Sequence, residues 1–265
     1  MESYFENRYK ITKLKNYLYV IQENISTVHP VYTNDPLNLY LLLGDHTALL
    51  IDTGCGLSPL KPVVDKLINK KKLLVFNSHA HWDHIFGNGE FDEVYIHENE
   101  AFVVSQPYDL SHSKEIFGKC YANRNFTIPP AKVIKTLRDG DSFDLGKIKI
   151  EVIDAPGHSP GSICVITNTG ELFTGDVAYY GDQFLPRPRF FPIVLNTLSK
   201  LMELCEKHEI INLYPSHRKT PCDKTLLVDL YNGIKNIENI WETRQKNEIF
   251  NAYYVEDKKF RYYIF

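Results

Sequence analysis

Leu73-Leu74-Val75-Phe76-Asn77-Ser78-His79-Ala80-His81-Trp82-Asp83-His84 is the stretch on which the reading of this chain turns. Its nearly continuous apolar run, residues 73–77, has the pattern of a strand buried on both faces. Three imidazoles and a carboxylate follow within six residues. They therefore fall at the carboxyl end of a strand, where open α/β sheets place their ligand sites. In extended or turning backbone His79 and His81 point the same way and can chelate one ion. Asp83 and His84 can turn toward a second. Nitrogen and carboxylate donors without thiolate suit Zn²⁺, Fe²⁺ or Mn²⁺ rather than Ca²⁺.

Upstream, residues 39–43 and 47–51 flank Gly44-Asp45-His46 and read as a hairpin, with a further short apolar run over 17–22. Residues 60–70 follow Ser58-Pro59 and carry Pro62, Val63, Leu67 and Ile68 at roughly helical spacing. Downstream, 94–96 is a strand candidate. Residues 147–153 alternate Ile148, Ile150 and Val152 with Lys147, Lys149 and Glu151, the signature of a half-buried strand. Residues 163–167 and 171–174 make a second hairpin around Asn168-Thr169-Gly170. Residues 194–208 form an amphipathic helix with Leu198, Leu201, Met202 and Cys205 on one face. Residues 212–214 are a short strand, and 225–250 read as mainly helical.

Two segments resist a clean period. Residues 101–128 read as a helical start followed by a long loop, a flap over a site. The tail, 252–265, is aromatic and β-prone and is expected to pair with a sheet edge or cover a partner subunit. Strands and helices are interspersed with no linker and no repeat. The expectation is α/β architecture in one domain spanning 1–265, with a helical and aromatic tail from about residue 225.

Three more possible ligands stand just beyond predicted strands: His158 in Pro156-Gly157-His158-Ser159-Pro160-Gly161, Asp176 in Thr174-Gly175-Asp176, and His217 in Pro215-Ser216-His217. Each alone is an ordinary turn residue. Four strand-end sites together are not explained by turn chemistry.

Composition narrows the function classes. Of 265 residues, 43% are hydrophobic and 24% charged, which argues against disorder. Thirty Lys plus Arg against 33 Asp plus Glu give a net charge of −3, so no broad basic surface for nucleic acid is expected. Lys70-Lys71-Lys72 reads as a solvated helix end. No run of 18 apolar residues exists, so no membrane span is expected. Residues 1–8 lack the order of a signal peptide. The five cysteines are widely spread with no Cys-x-x-Cys, which argues against a disulfide scaffold and for a reducing cytoplasm. No Gly-x-Ser-x-Gly elbow supports a serine esterase.

The order Asp52-Thr53-Gly54, HxHxDH at 79–84, Gly157-His158, Gly175-Asp176 and Ser216-His217 resembles the metallo-β-lactamase superfamily of metal-dependent hydrolases. The resemblance implies a four-layer αβ/βα sandwich with metals at one edge. It implies that His79, His81 and His158 hold one divalent cation, that Asp83, His84 and His217 hold another, and that Asp176 bridges them. Zinc is the first expectation for both cations, with iron or manganese as alternatives. A bridging Asp176 points to the hydrolase branches, glyoxalase II-like, lactonase-like and acyl-CoA thioesterase-like, rather than to the antibiotic-degrading enzymes. Asp139-Gly140-Asp141, the string 156–164 and Gly175-Asp176-Val177 look most like the thioesterase-like branch. Many relatives carry Gly at the second position after the HxHxDH string; this chain has Phe86 there and Gly87 one later. Asp52 resembles the family's acid that fixes a ligand imidazole, though simple turn chemistry with Gly54 is the alternative.

The activity so implied is attack of a metal-bound hydroxide on an ester, thioester or lactone carbonyl, with Asp83 and Asp176 as the catalytic carboxylates. The alternatives are a phosphodiesterase on the same site, a mononuclear iron dioxygenase of the persulfide type, and a non-catalytic scaffold. Residues 178–192 combine aromatics with arginines. Tyr179, Tyr180, Arg187 and Arg189 can line an apolar cleft and hold an anionic group of a small-molecule substrate, or simply form a stiff connection. Tyr108, Phe117 and Tyr121 can close the other side. A homodimer is left open.

Overall fold

The protein is described by a computed structural model over residues 8–265. The signal-peptide reading of the first residues, apart from Arg8, lies outside the described residues. Lys72–Phe76 is a strand inside a seven-stranded sheet. The sheet's order is Lys10–Lys15, Leu18–Glu23, Leu37–Leu43, Thr47–Ile51, Lys72–Phe76, Val94–His97, Ile134–Leu137. The first four strands pair antiparallel, and the rest join in parallel. The helix Lys61–Ile68 makes the crossover between the parallel strands Thr47–Ile51 and Lys72–Phe76.

A second sheet runs Ser142–Asp144, Lys149–Asp154, Ile163–Thr167, Glu171–Gly175, Asn212–Pro215. Side-chain alternation shows how the two stack. Leu49 and Ile51 join Tyr40, Leu42, Phe76, Val165, Phe173 and Tyr214 in a core between the sheets. Their neighbours Ala48 and Leu50 join Leu39, Leu41 and Val75 in an outer core with Val64, Ile68 and Phe117 of the covering helices. On the other side Cys164, Ile166, Leu172 and Leu213 pack against the helices Phe191–Lys207 and Thr225–Ile240. Continuous apolar runs are therefore required, because each strand feeds two cores. The result is the helix–sheet–sheet–helix sandwich, αβ/βα, expected from the sequence. A one-residue slip in any central strand would exchange its two faces.

Three segments fold differently from the sequence reading. Residues 101–128 have the expected helical start, Ala101–Val104, but no long loop after it: they contain the helix Lys114–Tyr121 and a two-stranded ribbon of Tyr108–Asp109 with Thr127–Ile128. The helical stretch from Thr225 ends at Ile240, and Gln245–Asn247 is a strand. The aromatic tail pairs with neither large sheet. Its strands Ala252–Glu256 and Phe260–Ile264 form a third sheet with Gln245–Asn247 and with Gly181–Leu185, a strand the sequence reading took for a connection. The alternation in 181–185 is obscured because Gly181, Asp182 and Gln183 are poor strand formers. No helix among the described residues is long and apolar enough to cross a membrane.

Candidate metal centre

The ends of the two sheets are sewn together at one edge. Ile163 N donates to Ser78 O (2.9 Å), Asn38 N to Ser216 O (2.6 Å), and Tyr40 OH to Pro215 O (2.6 Å). These bonds draw the turns after four strands onto one spot. Asp52 directly follows Thr47–Ile51 and sits in the left-handed region, with φ of 66°. That conformation costs on the order of 1 kcal/mol for a non-glycine residue. Three donors hold it: Ser78 N (2.7 Å), Ser78 Oγ (2.8 Å) and His84 Nδ1 (2.8 Å).

The HxHxDH string changes conformation midway. His81 is extended, and Trp82–Ile85 is a single helical turn. Thr53 N and Thr53 Oγ1 both donate to His84 O, at 2.9 and 3.0 Å, and Asn77 Nδ2 donates to it at 3.2 Å. Phe86 is buried beneath this turn against Tyr108 and Tyr121, with ring centroids 5.0 and 5.6 Å away. It packs away from the site. The small residue is needed at Gly87, where a Cβ would lie 2.3 Å from Thr53 O.

His79 Nε2, His81 Nδ1 and His158 Nε2 form a triangle with edges of 2.9, 3.2 and 2.8 Å. The edge between nitrogens around a tetrahedral zinc is about 3.3 Å, given bonds of 2.0–2.1 Å. Burial, and then the neighbouring imidazoles His84, His81 and His158, push His79 well below the usual histidine range. Burial and His81 bring His158 down to about 3. These rings stay neutral at physiological pH, with lone pairs available to a cation.

The second set is built from charge. Asp83 Oδ2 lies 3.6 Å from His84 Nε2 and 3.4 Å from His217 Nε2. Asp176 Oδ1 lies 3.4 and 3.3 Å from the same two nitrogens, while its Oδ2 lies 3.7 Å from His158 Nε2. One oxygen of Asp176 thus faces each set. Burial opposes charge on His84, but Asp52, Asp83 and Asp176 outweigh it and hold the ring well above its ordinary range. His217 is likewise raised to about 10 against its burial, by Asp176 and then Asp83. Asp176 is held well below the carboxylate range by His217 and His84 despite burial.

A divalent cation fits these residues on an observation internal to the site. His84 Nε2 and Asp176 Oδ1 are buried without a hydrogen-bond partner. His84 cannot turn away, because Asp52 holds its other nitrogen. His217 Nδ1 is similarly spent on Asn34 O (3.1 Å), which aims Nε2 inward. Groups of three donors that could hold an ion are His79, His81, His158; His79, His84, Asp176; and Asp83, His84, His217.

One supporting residue escaped the sequence reading. Glu100 is buried and ties two ligand loops together. Its carboxylate accepts from Ala80 N, between His79 and His81, and from Ser159 Oγ and Gly161 N (2.8 Å), just after His158. A lone Glu at 100 carries no local motif. Its role arises from a contact made about sixty residues away.

A cavity of about 410 Å³ opens on the centre. His81, Asp83, His158, Asp176 and His217 lie at one end, and Trp82, Tyr32, Phe184, Leu185, Phe250 and Phe265 wall the rest. Of the residues expected to read the substrate, Tyr179 lines this cavity. Tyr180 does not: it stacks on Phe260 (5.4 Å) and donates to Asp229 Oδ2 (2.9 Å). Arg187 and Arg189 are exposed, one and three residues beyond the lining Pro186. Tyr108, Phe117 and Tyr121 pack behind Trp82 and Phe86 and line no part of it.

The model of the metallo-beta-lactamase superfamily matches residues 32–216. Acyl-coenzyme A thioesterases of Bos taurus and Homo sapiens are each 30% identical over 205 residues, covering 69% of this chain and 73% of theirs. A probable metallo-hydrolase of Streptococcus pyogenes serotype M6 is 29% identical over 196 residues, 68% of this chain and 78% of its own. Among solved structures, a beta-lactamase domain protein from Burkholderia ambifaria aligns with a TM-score of 0.65 at 16% identity, covering 88% of this chain and 76% of the other. A metallo-beta-lactamase family protein from Thermus thermophilus aligns with a TM-score of 0.62 at 19% identity, over 87% and 84%.

Proposed function

The chain belongs to the metallo-beta-lactamase superfamily and is a hydrolase; from that premise we propose that it uses two divalent cations, zinc first, to cleave an ester or thioester bond of a small acyl substrate. The observation that carries the reading is the sharing of Asp176 between the two donor sets. His79, His81 and His158 would hold one cation, and Asp83, His84 and His217 the other. Two such cations would supply Lewis acidity and lower the pKa of the attacking water toward neutrality.

The chain's own residues do the rest. Asp52 accepts the Nδ1 proton of His84 and thereby fixes the tautomer that turns Nε2 inward. Asn34 O does the same for His217. Asp83 and Asp176, kept ionised by the flanking imidazoles, orient the attacking water and accept its proton. Trp82 and Tyr32 beside them limit the water that reaches the reacting carbonyl. Arg187 and Arg189, exposed beyond Pro186, would meet an anionic leaving portion such as the coenzyme A of the relatives' substrates. The aromatic wall favours a small acyl substrate over a polynucleotide, whose phosphates need basic side chains along the groove.

The test is a panel of chromogenic thioesters, esters, lactones and phosphodiesters, assayed with protein reconstituted in zinc, manganese or iron. The proposal expects thioester or ester turnover that chelator abolishes and zinc restores. Turnover of phosphodiesters alone, or oxygen uptake with one iron, contradicts it.

A further inference from the structure

The family match ends at residue 216, yet the cavity does not. Phe250 and Phe265 come from the tail, and Phe184 from the strand Gly181–Leu185 that the tail recruits. That strand pairs in parallel with Phe260–Ile264, setting Leu185 opposite Ile264 and leaving Phe265 one residue beyond. Phe184 stacks on Tyr263 at 5.1 Å and 10°, and meets Phe250 edge-on at 5.2 Å. Phe265 lies 6.3 Å from Phe184. Phe250 reaches Tyr32 (5.8 Å), and Tyr32 reaches Trp82 (4.9 Å). Trp82 stands between His81 and Asp83. An unbroken series of rings therefore runs from the metal-binding string to the last residue of the chain.

We propose that this third sheet is an acyl-selecting wall: Phe184, Phe250 and Phe265 bind the apolar chain of the acyl group and set which chain lengths are accepted. The inference rests on the hydrolase reading and deepens it. A carbonyl seated among His81, His158 and Asp176 has the rings as the apolar continuation of the same cavity. Three polar side chains of that wall are spoken for. Asn34 donates to Asp182 O (2.8 Å), Thr33 Oγ1 bonds Asp182, and the Tyr179 hydroxyl donates to Asp182 O. Beyond the Tyr32 hydroxyl and the Trp82 indole N–H beside the metal-binding string, the open surface is hydrocarbon, which suits an alkyl chain. A volume of about 410 Å³ lies within the range of small-ligand pockets. Phe265 is 52% exposed, so it closes the outer end of the wall rather than the core of the sheet.

The experiment measures calorimetric binding of straight-chain alkanoates, acetate through decanoate, to the zinc-loaded full chain. In parallel it measures kcat/KM for p-nitrophenyl esters of the same acids. Affinity is expected to rise about fourfold per added methylene until the wall is filled. Phe250→Ala and Phe265→Ala should each cut the decanoate-to-acetate affinity ratio about tenfold, the scale of losing one aromatic contact. Phe250→Leu, which keeps an apolar side chain and the fold, should give a smaller cut. Affinity flat across the series, or a ratio identical in all variants, overturns the proposal. Ester turnover with a flat length profile overturns the wall while leaving the hydrolase reading standing. Length-dependent alkanoate binding with no turnover of any ester or thioester of these acids removes the proposed ester and thioester cleavage and supports the wall.

Discussion

His79, His81 and His158 are kept neutral chiefly by burial, whereas Asp83, His84 and His217 form a cluster of charges that burial fails to neutralise. The two sets share Asp176 and lie within a few ångströms, yet their imidazoles are driven in opposite directions. The difference comes from what stands behind each. The first set rests on Glu100, which holds backbone and touches no ring. The second rests on Asp52, whose carboxylate bonds the ring of His84 directly. Empty, the first set has bare lone pairs. The second holds protons that a cation must displace, so its affinity rises more steeply with pH. Two neighbouring sites can thus differ in metal affinity without differing in ligand number.

The largest effect should come from removing what joins them. Asp176→Asn takes the shared charge away and should lower kcat/KM about 10³-fold with loss of bound zinc, read by kinetics and elemental analysis. A variant that keeps both zinc ions and most of its activity would dissolve the link between the sets.

Next come the two supports, which should separate the sites. Glu100→Gln should weaken zinc about 10- to 100-fold at the three-histidine set, and Asp52→Asn should do so at the other. Competition titrations give the affinities, and anomalous diffraction shows which position empties. If both variants empty the same position, the assignment of supports is wrong.

An effect on stability rather than on metal lies one layer deeper. Glu23 Oε1 accepts from Cys55 N (2.7 Å) on the turn that carries Asp52. Burial raises its pKa to about 7. An acid raised above its unfolded value keeps a proton that the unfolded chain releases, so stability falls as pH climbs from about 4.5 to 7. Glu23→Gln removes that penalty. Its stability relative to the parent should grow by about 3 kcal/mol between pH 4.5 and pH 8, measured by urea unfolding at each pH. A difference that does not change with pH contradicts the raised pKa.

The smallest belongs outside both sets. Arg187→Ala should raise KM for anionic thioesters a few-fold, as expected of an exposed charge pair worth under about 1 kcal/mol. An unchanged KM for every anionic substrate removes the anchor.

How much of this was legible in the sequence depends on the range of the contacts. The hairpins 39–51 and 163–174 and the helix 194–208 announce themselves by periodicity, since their partners are local. The string 79–84 stands out because a cation needs several donors on short spacing, and that density is visible without a fold. Glu100 and Glu23 are invisible because each works through backbone brought to it by the tertiary structure. The third sheet was missed for a related reason. Gly181–Leu185 has a weak pattern of its own and becomes a strand by pairing with Phe260–Ile264, some eighty residues later. Tyr180 was read as a substrate contact from its neighbourhood, but adjacent side chains diverge, and here Tyr179 took the cavity side while Tyr180 packs on Phe260.

Crystals grown in excess zinc, with data collected across the zinc absorption edge, test the central claim most directly. The account predicts two anomalous peaks per chain, one among His79, His81 and His158 and one among Asp83, His84 and His217, with Asp176 reaching both. A single peak, or none between these side chains, contradicts it.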